Sequence, residues 1–280
     1  MKLFVGGSQS IRDITDLPNR RILDSAIYYI DEILVGDAPG ADAAFQKYLA
    51  RRGFDCVTVY ASGKKARNNV GGWEVKQIEY DPALTGYDFY RQKDIAMILD
   101  CNRALMAWDG KSKGTRQNII DLAALGKRVD NMFWKTDEEE AEWYYLDGTL
   151  FADFVFGPEY FIMKDERDRK ALKHGWSPLL FPIWLDDLRP APEGYFWCRS
   201  VNEAKLCIET AERYHEKISV IDCDHDLGIY AKLGGDGIKL LDWLAERETY
   251  YPVKLHTMNP VGRENMQRIL NRFWNRFWPR

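Results

Sequence analysis

Ile218-Ser219-Val220-Ile221-Asp222-Cys223-Asp224-His225-Asp226-Leu227-Gly228 runs from an apolar, β-branched segment straight into an acidic cluster. A short apolar run bounded by a turn signal reads as a buried strand. The arrangement recurs twice. Ile183-Trp184-Leu185 leads into Asp186-Asp187-Leu188-Arg189, and Val253-Lys254-Leu255 leads into His256 and then Asn259-Pro260-Val261-Gly262-Arg263-Glu264-Asn265-Met266. As parallel strands of one sheet, these runs deliver their polar groups to one carboxyl edge, where ligands of open α/β sheets bind. Carboxylates crowded there can hold a divalent cation or raise one another's pKa.

Working outward, Tyr195–Arg199 reads as a further strand. Ser200-Val201-Asn202-Glu203 is a capping box that opens a helix to about Tyr214. Helices over Gly235–Arg247 and Gly262–Trp278 complete a smaller α/β domain over 181–280. In the last helix the four-residue offset puts Phe273 with Phe277 and Trp274 with Trp278, a face suited to docking on that domain. Toward the N-terminus, strand candidates Lys2–Gly6, Glu32–Val35, Cys56–Tyr60, Arg103–Trp108 and Arg128–Trp134 alternate with helix candidates Pro18–Asp31, Ala41–Arg52, Tyr87–Cys101 and Thr115–Leu125. That alternation predicts a parallel sheet with helices on both faces over 1–135. Gly63–Asp81 has no clear period and reads as a binding loop, a lid or a plain surface loop.

Residues 136–180 read as a bridge. Thr136-Asp137-Glu138-Glu139 fits a helix start, and Trp143–Phe156 fits a hairpin turning at Asp147-Gly148. Lys164–Lys173 reads as a solvated charged face.

A length of 280 residues predicts two domains. Hydrophobic residues at 46% and charged residues at 29% describe an ordinary soluble globular protein. The net charge of −4 argues against an overall basic field for nucleic acid. Five cysteines (56, 101, 198, 207 and 223), with no CxxC pair, point away from a disulfide frame or zinc knuckle and toward reduced thiols in a cytoplasmic protein. No apolar run reaches membrane-spanning length. The expected partner is a small-molecule nucleotide, and self-association is left open.

Three glycine-bearing loops follow strands of the first domain: Gly6-Gly7-Ser8-Gln9-Ser10, Gly36-Asp37-Ala38-Pro39-Gly40-Ala41-Asp42 and Asp109-Gly110-Lys111-Ser112-Lys113-Gly114-Thr115. Glycine lets the backbone approach a phosphate, and the helix that follows turns N–H groups toward it. Gly7, Ser8, Gly36, Asp37, Gly40, Asp42, Gly110, Lys111, Ser112, Gly114 and Thr115 are therefore candidate phosphate or substrate ligands. The third loop does not match the Walker spacing. With Arg67-Asn68-Asn69-Val70-Gly71 and Trp73, these motifs make residues 1–134 resemble the SLOG superfamily of Rossmann-like nucleotide-binding domains. The resemblance implies nucleotide or NAD-derived ligands. Some relatives are phosphoribohydrolases with a PGGxGTxxE signature. Gly114-Thr115 matches its GT, but Asn118 stands where that signature has Glu, which favours holding or sensing a ligand over N-glycosidic cleavage.

Trp184-Leu185-Asp186-Asp187-Leu188-Arg189-Pro190, Asp224-His225-Asp226-Leu227-Gly228, and His256 with Asn259–Arg263 and Asn265-Met266 resemble the cyclic-phosphate-processing receiver-like domain. The two resemblances together imply two three-layer α/β domains, a Rossmann-like parallel sheet followed by a smaller receiver-like, flavodoxin-like one. In ordinary receivers an acidic pair and a later aspartate bind a divalent cation. Asp186, Asp187 and Asp224 stand in comparable places, so Mg²⁺ or Mn²⁺ is the implied cofactor, and the added histidines imply a hydrolase.

Opening a cyclic phosphate needs a base for water, an acid for the leaving oxygen and positive charge on the phosphoryl group. His225 and His256 can supply acid and base, with Asp187 and Asp224 beside them. Arg189 and Arg263 can clamp phosphate, and Asn259 and Asn265 can bind ligand or cap the last helix. A metal-free version would use the aspartates to orient the histidines, and the residues leave both versions open. The expected activity is hydrolysis of a cyclic phosphate on a nucleotide or ADP-ribose-type molecule. A nucleotide sensor or sponge, an N-terminal glycosidase and a phosphorylated receiver are the competing readings.

Overall fold

A computed structural model describes residues 1–15, 23–24, 29–137, 140–146, 180–192, 195–213 and 217–275. The chain divides into two compact units, Met1–Phe151 and Ala152–Arg280. Among the described residues, no helix is long and apolar enough to cross a membrane.

The first unit is built on β1 (Lys2–Gly7), β2 (Glu32–Gly36), β3 (Val57–Ser62), β4 (Glu74–Ile78), β5 (Arg103–Trp108), β6 (Arg128–Asp137) and β7 (Glu140–Leu146). Its helices are α1 (Ala41–Arg51), α2 (Gly86–Asp100) and α3 (Lys113–Ala124). The sheet order is β4-β3-β2-β1-β5-β6-β7, parallel except for β7. Val57–Ser62 are buried throughout, as both faces of a central parallel strand require. The chain steps outward from β1 to β4, then returns to β5 on the other side of β1. That reversal opens a crevice between the loops after β1 and β5.

Two expectations change here. Gly63–Asp81 contains a strand, because Glu74–Ile78 pairs in register with β3 as an exposed edge whose short polar alternation carries little apolar signal. Thr136 and Asp137 do not open a helix. They extend β6, which is held in antiparallel pairing through Trp134↔Trp143 and Thr136↔Ala141, so ladder hydrogen bonds override the local capping pattern. Glu140–Leu146 pairs with β6, and the expected hairpin turn at Asp147-Gly148, with its second strand, lies outside the described residues. So do the expected charged face at 164–173 and most of the expected first helix, of which Leu23, Asp24 and Tyr29 are described and helical.

The second unit holds β8 (Leu180–Leu185), β9 (Phe196–Cys198), β10 (Lys217–Cys223) and β11 (Val253–Leu255), with α4 (Val201–Arg213), α5 (Ile238–Glu246) and α6 (Pro260–Phe273). The order β11-β10-β8-β9 is parallel throughout. Both units are thus α/β, as the alternation predicts. Pro182 sits in a central strand, where it cannot donate to the ladder. The register shifts opposite it, between Ile218 and Val220, which is where a sheet tolerates proline. Ser200 caps α4 by accepting from the Glu203 N–H at 3.1 Å, as the sequence predicts. Trp274 is buried, donates to the Tyr251 carbonyl at 2.8 Å and meets Tyr250 edge-on, so Trp274 docks on its own unit, while Phe277 and Trp278 lie outside the described residues.

Candidate active site

The second sheet reverses direction between β8 and β10, and the loops leaving β8, β10 and β11 meet there. Trp184, Asp222 and Lys254 are in register, so they share one face of the sheet. Two residues further on, Asp186, Asp224 and His256 emerge on that side.

Asp186 is fully buried, accepts three hydrogen bonds and faces His256. Oδ1 takes the N–H groups of Leu188 (2.9 Å) and Arg189 (2.6 Å), and Oδ2 takes Arg189 Nε (2.5 Å) and faces His256 Nε2 at 3.0 Å. The two backbone bonds are the Asx-type turn that an aspartate before two further loop residues makes. Burial alone would raise this carboxyl. The backbone N–H groups of Arg189 and Leu188, then the guanidinium and the imidazole, outweigh it and hold the pKa below the ordinary range. Arg189 also donates from Nη2 to Asp224 Oδ2 at 2.5 Å and from Nη1 to the His256 carbonyl at 3.2 Å. One side chain therefore ties three loops together.

His256 is held on all sides. Nδ1 lies 2.7 Å from Asp222 Oδ1, and the ring stacks on Trp184 at 3.8 Å between centroids and 3° between planes. Both ring nitrogens therefore face carboxylates.

His225 is arranged differently. Nδ1 is 2.8 Å from Asp226 Oδ1, which also accepts from Asn259 Nδ2 at 3.0 Å. Asn259 Oδ1 in turn caps α6 through the Gly262 N–H at 2.9 Å. The ring packs on Gly262, where any Cβ would collide with it, and its side chain is 16% exposed. Among the described residues Nε2 has no hydrogen bond. Asp226 and Nδ1 thus fix the ring's orientation and leave Nε2 for chemistry. The bond to His225 and the one from Asn259 outweigh desolvation and hold Asp226 below the ordinary carboxylate range.

Asp187 is half-buried, with its carboxylate against Gly228, whose φ of 49° and lack of a Cβ make room for it. Burial first, then the charges of Asp186 and Asp224, raise its pKa. Arg263 makes a local bond to the Thr257 carbonyl at 2.9 Å, and Asn265 accepts from Arg268 at 3.3 Å. The structure brings Asp186, Asp187, Arg189, Asp224, His225, His256 and Asn259 to one rim, while Arg263 and Asn265 make bonds only within their own loop and helix. Sequence reasoning missed Asp222 and Trp184 as the supports of His256. The period of two through Asp222 and Asp224 was the available signal.

Asp186, Asp224 and His256 each offer an atom within 4.8 Å of the others, which is metal-ligand spacing. As arranged, the set does not fit a divalent ion. A carboxylate has about four lone-pair sites; N–H groups of Leu188 and Arg189 take three of those of Asp186, and Arg189 also holds Asp224.

In the first unit, the crevice at the β1/β5 reversal is a cavity of ≈ 470 Å³. Gly7, Asp42, Ser112, Gly114 and Thr115 line it. Gly7 passes so close to the Ala107 carbonyl that a Cβ would overlap it. Gly40, at φ 86°, lets α1 start against the Gln9 backbone. Ser8 is buried behind the wall, 3.3 Å from Thr115 Oγ1. Gly36, Asp37, Gly110 and Lys111 do not line the cavity. Asp37 is instead paired with Arg67 at 2.7 Å, and Gly110 turns the third loop at φ 74°. The sequence missed the far wall, Tyr87, Tyr90, Arg91 and Lys93 of α2, together with Arg67 stacked 3.9 Å over Tyr90. Buried charges on α2 break its apolar periodicity, and that was the signal.

Asp42 is the outlier of this cavity. Burial pushes its carboxyl up to about 6, with Lys93 only partly offsetting the shift. Lys93 Nζ sits 2.6 Å from Asp94 but 3.8 Å from Asp42, so Asp94 takes most of its charge. Burial lowers Lys93, but Asp94 and Asp42 outweigh it and hold the ammonium above its ordinary value.

No curated protein and no solved structure matches the chain. Residues 181–272, the stretch that carries the His225 and His256 site, match the family model of the Cyclic-phosphate processing Receiver domain.

Proposed function

We propose that the second unit hydrolyses a cyclic phosphate on a nucleotide or ADP-ribose-type molecule, and that the first unit binds a nucleotide. The observation that carries this reading is the Asp226–His225 pair, whose Nε2 has no hydrogen bond among the described residues, in the loop leaving β10 of a sheet matched to a cyclic-phosphate family. In this scheme His225 Nε2 takes a proton from water as its oxygen bonds to phosphorus. The ring P–O bond breaks, and the leaving oxygen takes a proton from the Asp187 carboxyl, whose raised pKa suits an acid. The product is a linear phosphomonoester with a free hydroxyl. Arg189 keeps two N–H groups, one on each terminal nitrogen, for the phosphoryl oxygens, because its three bonds use three of the five.

In the first unit, Gly7, Ser112, Gly114 and Thr115 are the phosphate side of the cavity, and Tyr87 and Tyr90 line its other side. The motifs resembling the SLOG superfamily support the same assignment.

The test is incubation of the full chain with a panel of cyclic-phosphate nucleotides and ADP-ribose derivatives, read by mass. A gain of one water that is lost in His225→Ala is expected. Free base release that survives His225→Ala would instead make the first unit the enzyme. The ≈ 470 Å³ cavity in the first unit favours a second reading, a nucleotide sensor, which would deplete ligand stoichiometrically with no product.

A further inference from the structure

We infer that Arg189 is the resident cation of the acidic edge, standing where a receiver-type sheet would hold a divalent metal ion. The inference deepens the phosphoesterase reading, but its test reads metal binding and needs no turnover.

Three observations converge. First, Asp186 is already engaged. Three N–H donors, Leu188 N, Arg189 N and Arg189 Nε, fill its oxygens, His256 Nε2 faces it at 3.0 Å, and it is buried from water that could exchange with them. Second, the guanidinium spans the same two carboxylates that a metal would bridge, at 2.5 Å to Asp186 and 2.5 Å to Asp224. A planar fork matched to two carboxylates is the geometry in which arginine outperforms a point charge. Third, His256 Nε2 faces Asp186 and its Nδ1 faces Asp222, so both ring nitrogens are turned to carboxylates. Burial lowers Arg189, but Asp186 and Asp224 outweigh it and hold the guanidinium above its already high value.

The chemical consequence is a site with one fixed positive charge in place of a labile one. Phosphoryl charge would be met by the two remaining Arg189 N–H groups on a side chain that is 40% exposed. No step then depends on free Mg²⁺ or Mn²⁺.

The experiment titrates the chelator-treated full chain with Mn²⁺ by calorimetry and by electron paramagnetic resonance of free Mn²⁺. Wild type is expected to take up no Mn²⁺ that Asp224→Asn removes, and its thermal midpoint is expected to be the same with Mn²⁺ or chelator. Arg189→Ala, which empties the bridge, is expected to gain at least about tenfold in Mn²⁺ affinity, a gain that Asp186→Asn cancels. One Mn²⁺ bound per wild-type chain and lost in Asp224→Asn would overturn the inference. So would an Arg189→Ala chain that folds and gains nothing. If Arg189→Ala does not fold, the wild-type titration with Asp224→Asn decides alone.

Discussion

Two parallel sheets in one chain place polar loops at the same topological position, and they fill it in opposite ways. At the β1/β5 reversal of the first unit, glycines hold the backbone back and leave a cavity of ≈ 470 Å³. At the β8/β10 reversal of the second, the acidic edge is occupied by the protein's own Arg189 and His256. Topology fixes where a ligand meets the sheet. Whether that place is an open pocket or a preorganised charge cluster depends on which side chains return to it. The first unit suits holding a sizeable ligand, whereas the second suits reaching one strained group at its rim.

The sharpest break in the comparison is His225→Ala. If the second rim is the reactive one, cyclic-phosphate turnover falls about 10²–10⁴-fold while nucleotide affinity of the first unit, measured by calorimetry, stays unchanged. Equal loss of both would erase the division of labour. Next is Asp186→Asn, which leaves Arg189 and His256 facing an amide. A cost of about 3–5 kcal/mol is expected in denaturant unfolding of the second unit. Because the folded carboxyl lies below its ordinary pKa, its contribution is present above the unfolded value and is lost as pH falls through the folded one. Stability of wild type should therefore drop in that acidic window, and that of Asp186→Asn should drop less.

The first unit has the opposite sign. With Asp42 pushed from 3.8 to about 6, the folded chain holds a proton that the unfolded chain has released, so stability falls as pH rises across that interval. Asp42→Asn should flatten this fall and gain up to about 3 kcal/mol at pH 7 in thermal or denaturant melts. A pH profile unchanged by the substitution would remove Asp42 as a destabilised group of the cavity. The smallest effect belongs to Asn259→Ala. Loss of the α6 cap costs about 1 kcal/mol. Release of Asp226 should also lower turnover more than it changes KM, because Asn259 is a positioning residue for His225 and not a group that touches substrate. An unchanged kcat would leave it a cap alone.

Much of this was legible before any coordinates. Three strand-like runs each ending in acids or histidine gave the second sheet its carboxyl edge, and alternation gave the first its parallel strands. The polar edge strand Glu74–Ile78 was illegible because it buries little and so carries little apolar period. Thr136-Asp137-Glu138-Glu139 misled because a cap pattern is local, whereas the β6–β7 ladder that overrode it joins partners such as Asn131 and Leu146.

The sequence by itself determined that Asp186, Asp224, His225 and His256 leave neighbouring strand ends, since strand periodicity and loop position are properties of consecutive residues. Only the tertiary structure decided that the two histidines differ. His256 lies between Asp222 and Asp186 on the Trp184 ring, and His225 keeps a nitrogen free beside Gly262. The physical reason is that a hydrogen-bond partner dozens of residues away, such as Asp186 to His256 across 70 positions, is set by strand order and register. No local pattern encodes either.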